Sequence, residues 1–147
     1  MTLPRRAFIG AAAALFPAAK TAAAKAAAET APPFQPWSAQ GVIDARNEGK
    51  RVFVAFRADW CVICKINEMT VLKTQKVRET LSQSDVAYFI ADYTAKDDPA
   101  IRKQLDHYQA GAFPMYLAFI PGARKPKLLP QVLSVKDIVA ALQAPAS

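Results

Sequence analysis

Two cysteines, Cys61 and Cys64, are the residues of this chain best suited to do chemistry, and the sequence contains no others. A disulfide between them would close a very short loop and add little stability, so a purely structural role explains the pair poorly. At the start of a helix, unpaired N–H groups and a partial positive charge favour a thiolate, the nucleophile of disulfide exchange. Cys61 is then placed to attack a substrate disulfide, and Cys64, one turn further, to resolve the mixed disulfide. Asp59, two residues before Cys61, either opposes the thiolate or helps to cap the helix.

Other functions are compatible with the same two cysteines. A structural zinc site needs four ligands, and beyond the two cysteines the sequence offers only a single histidine, His107. A lone histidine of this kind is more typical of a surface or core position than of a catalytic one. Two thiolates can hold Cu(I), which would make the protein a copper carrier with Met69 and Met115 as candidate neighbours. A module that binds a partner in a groove near Pro114 without redox turnover is the remaining alternative.

The elements that must position the cysteines follow from the pattern of apolar residues. Short runs rich in β-branched and aromatic residues predict strands over 51–56, 86–91 and 115–120, and an edge strand over 127–132. Helices are predicted over 38–47, 62–82, 99–108 and 135–142. Within the long helix, apolar residues recur at helix-compatible spacings at Ile66, Met69, Leu72, Val77 and Leu81. This alternation of strands and helices predicts an α/β fold in which a central, partly parallel sheet is covered by helices on both faces.

Local end signals accompany these helices. Ser38 is suited to cap the first helix and Gly49 to end it. Pro99 suits the first turn of the third helix, where a missing N–H costs nothing. Ser134 followed by Asp137 resembles a capping pair at the start of the last helix.

The N-terminal residues predict a cleaved export signal. Arg5 and Arg6 precede an apolar, alanine-rich run over 7–19, and small residues suited to a signal peptidase follow. The run is too short to cross a bilayer, and the paired arginines resemble a twin-arginine signal, although Pro4 stands where such signals usually carry Ser or Thr. An uncleaved anchor or an alanine-rich arm is the alternative. We expect a signal over 1–28, a linker over 29–36 and one domain over 37–147.

Excluding this signal changes the charge balance. The whole chain carries 19 basic and 12 acidic residues, a net charge of +7. Four basic residues precede position 29, so the remainder has 15 basic and 12 acidic residues, a net charge of +3. No cluster of Lys and Arg with interleaved aromatic residues is left, and nucleic-acid binding is therefore not expected.

The stretch VFVAFRADWCVICK over 52–65 resembles the active-site segment of the thioredoxin family. The pieces ADWCV and CK, with Glu68 following, look most like the C-terminal periplasmic domain of the DsbD membrane electron transporters. The likeness covers residues 36–143, and its second anchor is Phe113-Pro114 before a strand. It implies a thioredoxin-like fold with a central mixed sheet, and a cis Pro114 that faces the cysteine pair, where adjacent backbone groups hold the substrate. Trp60 is expected to lie beside the site as an apolar contact for substrate.

Glu68 follows Cys64 by four residues and Cys61 by seven, so all three project from one helix face. If that face packs on the sheet, Glu68 lies partly buried beneath the cysteines and could take the proton from Cys64 as it attacks. The DsbD domain has an acid at the matching position. A solvated glutamate on a rotated face is the alternative.

This sequence also departs from the family pattern. Ala55 stands where the family has a buried aspartate, so proton transfer would depend more on Glu68 or on water. Ala112 replaces the glycine two residues before the proline, and Met115 replaces the usual threonine after it, which alters the docking groove. The dipeptide Val62-Ile63 lacks the histidine of strongly oxidising relatives, which favours a reducing direction.

We therefore expect an exported bacterial thiol–disulfide oxidoreductase of the periplasm, a monomer without a membrane span in its mature form and without a metal or cofactor. Its partners would be protein thiols and disulfides and a membrane electron donor of the DsbD type. The expected catalytic residues are Cys61, Cys64 and Glu68, and the expected substrate contacts are Trp60, Phe113 and Pro114.

Overall fold

A mixed sheet of five strands organises residues 32–146, the part of the chain that this computed structural model describes. The strands are β1 (Gln35–Pro36), β2 (Arg51–Arg57), β3 (Val86–Asp92), β4 (Met115–Phe119) and β5 (Lys127–Leu129). Their order across the sheet is β1-β3-β2-β4-β5, in which β1, β3 and β2 run parallel and β4 and β5 add antiparallel pairs. The predicted export signal over 1–28 lies outside the described residues.

Helices connect these strands and cover the sheet. They are α1 (Ala39–Asn47), α2 (Val62–Asn67), α3 (Gln75–Leu81), α4 (Pro99–His107) and α5 (Val135–Gln143). A π-helical turn, Glu68–Leu72, directly continues α2. The predicted strands and helices are confirmed except where described below.

The predicted end signals occupy their expected places. The Ser38 side chain accepts a hydrogen bond from the Gly41 N–H, and Gly49 follows α1 with φ of +76°, a conformation that glycine adopts without strain. Pro99 is the first residue of α4. Ser134 and Asp137 form a reciprocal capping box at the start of α5.

Two hydrophobic cores form on the two faces of the sheet because side chains alternate along β2. Val52, Val54 and Phe56 pack with residues of α1 and α4. Phe53 and Ala55 point to the other face and pack with residues of α3 and α5. Residues 52–56 are all buried, as expected for a central strand that is covered on both sides.

The predicted long helix over 62–82 is wrong as a single helix. It breaks after the π-helical turn, where Thr74 adopts an extended conformation before α3 begins. The Thr74 hydroxyl donates a hydrogen bond to the carbonyl of Val71, a local bond that competes with helix continuation. The apolar residues of this segment divide accordingly: Leu72, Val77 and Leu81 are buried, but Ile66 and Met69 are exposed by 47% and 70%.

Two smaller differences concern the edges of the sheet. The edge strand predicted over 127–132 ends at Leu129, so Pro130 follows the strand instead of lying inside it. The last two residues of the predicted linker pair with Phe89 and Ile90 as β1. Pro36 is tolerated there because an edge strand leaves one side of its backbone unpaired.

Candidate active site

Cys61 and Cys64 lie where the chain leaves β2 and enters α2, and they are joined by a disulfide with a Cα–Cα distance of 5.3 Å. Cys61 is itself the N-cap residue: its sulfur accepts a hydrogen bond from the Cys64 N–H at 3.2 Å. Cys61 keeps 6% of its surface exposed, whereas Cys64 is fully buried. Of the two cysteines, only Cys61 therefore keeps surface that an incoming group can reach.

An aromatic cluster packs beside the cysteines. The Trp60 ring, 47% exposed, meets Phe113 edge-to-face at 5.4 Å, and Phe113 stacks on Tyr93 at 5.5 Å. Phe113 also packs against the small buried cluster formed by Ala58, Cys61 and Cys64. The Phe113-Pro114 peptide bond is cis, and Pro114 is buried directly before β4. The structure thus brings Phe113 and Trp60, far apart in sequence, to the disulfide.

A cleft of about 820 Å³ opens next to the disulfide. Trp60, Cys61 and Val62 form one wall, and Leu105 of α4 and Ala110 are among the residues of the other. This volume lies in the range of small-molecule and peptide side-chain pockets. Cys61 thus lies in the wall of a cleft that the apolar side chains of Val62 and Ile63 also line.

Glu68, the expected proton acceptor, lies at the start of the π-helical turn with its side chain 31% exposed. It forms a salt bridge with Arg57, whose Nε lies 2.5 Å from Oε1. Arg57 also binds Asp59, which is therefore not the cap of α2. Sequence reasoning missed Arg57, because a charged residue at the end of a buried strand gives no signal of its partners.

The fully buried polar residue on the cysteine face of α2 is Asn67, which is 1% exposed. Its amide donates to the Tyr116 hydroxyl at 3.0 Å and to the Gln131 carbonyl at 2.7 Å, and its oxygen accepts from the Leu133 N–H at 3.2 Å. Burial raises the pKa of Tyr116 to about 12, partly offset by this hydrogen bond. Asn67 was also missed, although its spacing of three residues from Cys64 places it on the same face.

The departures from the family pattern lie close to this network. Ala55 is 2% exposed within the core on the α3 and α5 side, and Met115 is buried directly after Pro114. Ala112 is exposed, and its carbonyl accepts a hydrogen bond from the Gln131 side chain at 3.2 Å.

His107 is exposed at the end of α4, where its ring meets Tyr108 edge-on.

Among residues 32–146, no group of three or more His, Cys, Asp or Glu side chains is arranged to hold a metal ion. None of the helices in that range has the length and hydrophobicity that a membrane crossing requires.

Comparison with known proteins gives a family match and related sequences. A sequence model of the thioredoxin-like family matches residues 33–121. The thiol:disulfide interchange protein DsbD 1 of Pseudomonas aeruginosa is 38% identical over 79 residues, which cover 54% of this chain and 13% of that protein. The chain thus spans only about an eighth of the length of this curated relative.

Solved structures show the same fold. A thioredoxin from Thermus thermophilus superimposes with a TM-score of 0.60 at 17% identity, covering 78% of this chain and 86% of the other. The reduced C-terminal domain of DsbD from Neisseria meningitidis gives a TM-score of 0.54 at 23% identity, covering 85% and 96%. The thioredoxin-like α/β fold predicted from the sequence is therefore confirmed.

Proposed function

Because this chain belongs to the thioredoxin-like family, we propose that it is a thiol–disulfide oxidoreductase that works through Cys61 and Cys64. One observation carries the proposal: the two cysteines form a disulfide in which Cys61 reaches the surface beside an open cleft and Cys64 does not. The curated relative is itself named a thiol:disulfide interchange protein.

In the proposed reaction, reduced Cys61 attacks a substrate disulfide as a thiolate. One sulfur–sulfur bond forms between Cys61 and the substrate, and the other substrate sulfur leaves as a thiolate that takes up a proton. Cys64 then loses its proton and attacks the Cys61 sulfur, which releases the second substrate thiol. The protein ends as the Cys61–Cys64 disulfide, oxidised by two electrons, and the substrate disulfide is reduced to two thiols.

Three residues near the disulfide are proposed to hold the substrate. Trp60 and Phe113 offer aromatic surface on one side of the cleft, and Trp60 is half exposed. The backbone before the cis Pro114 would bind an extended substrate segment, as the family resemblance implies.

Glu68 is proposed as the group that takes the proton of Cys64. It lies four residues after Cys64 on the redox helix, which is α2 together with the π-helical turn that continues it. Its side chain is half buried, and Arg57 holds its carboxylate in place. Ala55, which stands where the family has a buried aspartate, cannot accept this proton because alanine carries no titratable atom.

We further propose that the protein reduces disulfides in the bacterial periplasm, after export by the N-terminal signal and as a monomer. The apolar Val62-Ile63 dipeptide supports the reducing direction, and the likeness to DsbD supports a membrane electron donor of that type. The donor would return two electrons to the Cys61–Cys64 disulfide after each turnover.

Trapping of the mixed disulfide tests this function. In cells, Cys64→Ala should accumulate partners linked to Cys61, and Cys61→Ala, the matched control, should trap none. Equilibration of the purified protein with glutathione buffers then gives the direction, because a potential near that of thioredoxin supports a reductase and a high potential an oxidase or isomerase. If no partner is trapped and the pair does not exchange, tight Cu(I) binding that is lost in the double Cys→Ser variant would favour the copper carrier, whereas a function retained by that variant would favour the binding module.

A further inference from the structure

Arg57 lies at the centre of a cluster of charges next to the active-site loop. It is the last residue of β2, four residues before Cys61, and its side chain is 15% exposed. Each nitrogen of its guanidinium binds a different carboxylate: Nη2 to Asp59 at 2.7 Å, Nε to Glu68 at 2.5 Å and Nη1 to Asp92 at 2.8 Å. One cation thus joins three acidic residues.

These carboxylates come from three segments that surround the cysteines. Asp59 belongs to the loop that leads into Cys61, Glu68 follows α2 on the redox helix, and Asp92 ends β3. Asp92 is the direct neighbour of Arg57 in the parallel pairing of β2 with β3. The position of Arg57 is therefore set by the sheet, and the loop and the helix are tied to it.

Thr94 extends this connection to the loop itself. Its hydroxyl accepts a hydrogen bond from the Asp59 N–H at 3.0 Å, and its carbonyl accepts one from the Trp60 indole at 3.3 Å. Thr94 is in turn held by Asp92, which accepts from its N–H at 2.8 Å. Both residues that precede Cys61 are thus anchored through the Arg57 cluster.

The electrostatic consequence follows from the charge count. Three carboxylates and one guanidinium leave the cluster with two excess negative charges, and without Arg57 there would be three. Two residues of chain span at most about 7 Å, so Asp59 lies close enough to Cys61 for its charge to oppose a thiolate there. Although burial alone would disfavour the charge of Arg57, the three acidic partners hold its pKa above the ordinary value, so it stays cationic.

We propose that Arg57 is a positioning residue of the redox reaction, which anchors the loop before Cys61 and offsets the acidic cluster beside it so that Cys61 is available as a thiolate. This inference rests on the proposed function for its biological meaning, but the reactivity of Cys61 can be measured without any substrate protein.

The Arg57 cluster borders an open cleft. Arg57, Glu68 and Asp92 line an open cleft of about 460 Å³, together with apolar residues that include Leu72 and Tyr88. Water can enter this cleft and hydrate the carboxylates. Replacement of Arg57 should therefore change the electrostatic potential of these carboxylates at Cys61 more than it changes the packing of the core.

The test measures the rate of Cys61 alkylation in the reduced protein as a function of pH. Arg57→Met should reduce the thiolate fraction at neutral pH about tenfold, the order expected for one lost compensating charge nearby. Arg57→Lys should recover part of the thiolate fraction, because lysine restores the positive charge but cannot bind all three carboxylates as the guanidinium does. Arg51→Met is the matched control: Arg51 begins the same strand, pairs with Asp85 and binds the Ala144 carbonyl, and its loss should leave the profile unchanged.

A second variant keeps the proposal open to refutation if Arg57→Met does not fold. Asp59→Asn preserves an oxygen that accepts from Arg57 and removes one negative charge, so it should raise the thiolate fraction. Several other charged or titratable groups lie near the loop and are unchanged in these variants. They are Cys64, Glu68 and Asp92, Lys96 over the Trp60 ring, Tyr93 behind Phe113, and Arg102 and Asp106 of α4, which line the same cleft as Cys61.

The outcomes separate this inference from the proposed function. Alkylation profiles of Arg57→Met and Asp59→Asn that match the wild type overturn the role of Arg57, even if the protein exchanges disulfides. The expected shifts in a protein that exchanges no disulfide with glutathione would uphold the role of Arg57 and reject the oxidoreductase.

Discussion

Asn67→Ala should destabilise the protein strongly, because Asn67 is a buried hub between the redox helix and the rest of the fold. The residue is 1% exposed and makes three hydrogen bonds, to the Tyr116 hydroxyl, the Gln131 carbonyl and the Leu133 N–H. Tyr116 lies two residues after Pro114, so this hub joins the helix of the cysteines to the strand of the cis proline.

The expected magnitude follows from the groups left behind. Alanine removes three hydrogen bonds of about 1 kcal/mol each, and it leaves buried donors and acceptors that cost about 1–3 kcal/mol each where water cannot replace the amide. Since a water can partly fill the space of the lost amide, we expect a loss of about 3 kcal/mol. For a domain of this size that corresponds to a fall in Tm of roughly 10 °C.

Urea unfolding of the oxidised protein, followed by circular dichroism, measures this loss. Asn47→Ala is the matched control, because Asn47 is exposed at the end of α1 and its replacement should change the free energy of unfolding by less than about 0.5 kcal/mol. A double-mutant cycle with Tyr116→Phe should give a coupling energy of about 1 kcal/mol. A loss below about 1 kcal/mol for Asn67→Ala, or no coupling to Tyr116, would refute the reasoning that these hydrogen bonds hold the redox helix.

Three further predictions concern catalysis, pH and capping. Glu68→Gln keeps an oxygen for Arg57 but no proton-accepting carboxylate, so attack of Cys64 on a glutathione adduct of Cys61 should slow at least about tenfold in quenched-flow assays; an unchanged rate would remove Glu68 from the mechanism. Burial raises the pKa of Tyr116 from 10.0 to about 12, so the unfolded chain loses this proton first and the free energy of unfolding should fall as the pH rises from about 10 to about 12. Tyr116→Phe should flatten that decline in urea titrations across this range, and an equally steep decline would contradict the assignment. Ser134→Ala should lower the free energy of unfolding by about 1 kcal/mol through loss of the capping box, and an unchanged urea midpoint would show that the box contributes nothing.

Much of the fold could be predicted from the sequence because its signals are local. The run over 51–56 is apolar without interruption, as a strand buried on both faces must be, and it is β2 in the structure. Ser38 and Ser134 cap the helices that they precede, since a cap depends only on the backbone N–H groups within the next turn.

The redox helix shows where such signals end. Ile66 and Met69 repeat at helical spacing, yet they are exposed, and the buried face is that of Cys61, Cys64 and Asn67. Apolar periodicity indicates a helix, but it does not choose the buried face when polar and apolar residues compete for it. That choice depends on the Tyr116 hydroxyl and the Leu133 N–H, which only the folded chain brings to Asn67.

The sequence by itself determined the α/β class, most element bounds, the family likeness and the choice of Cys61 and Cys64 as the candidate site. Only the tertiary structure decided that Cys64 is sealed while Cys61 reaches the surface, and that Arg57 meets Asp92 across the parallel pairing of β2 and β3. The reason is physical: a cap or a strand depends on neighbours along the chain, whereas burial and ion pairing depend on residues far apart in sequence that become neighbours when the sheet forms.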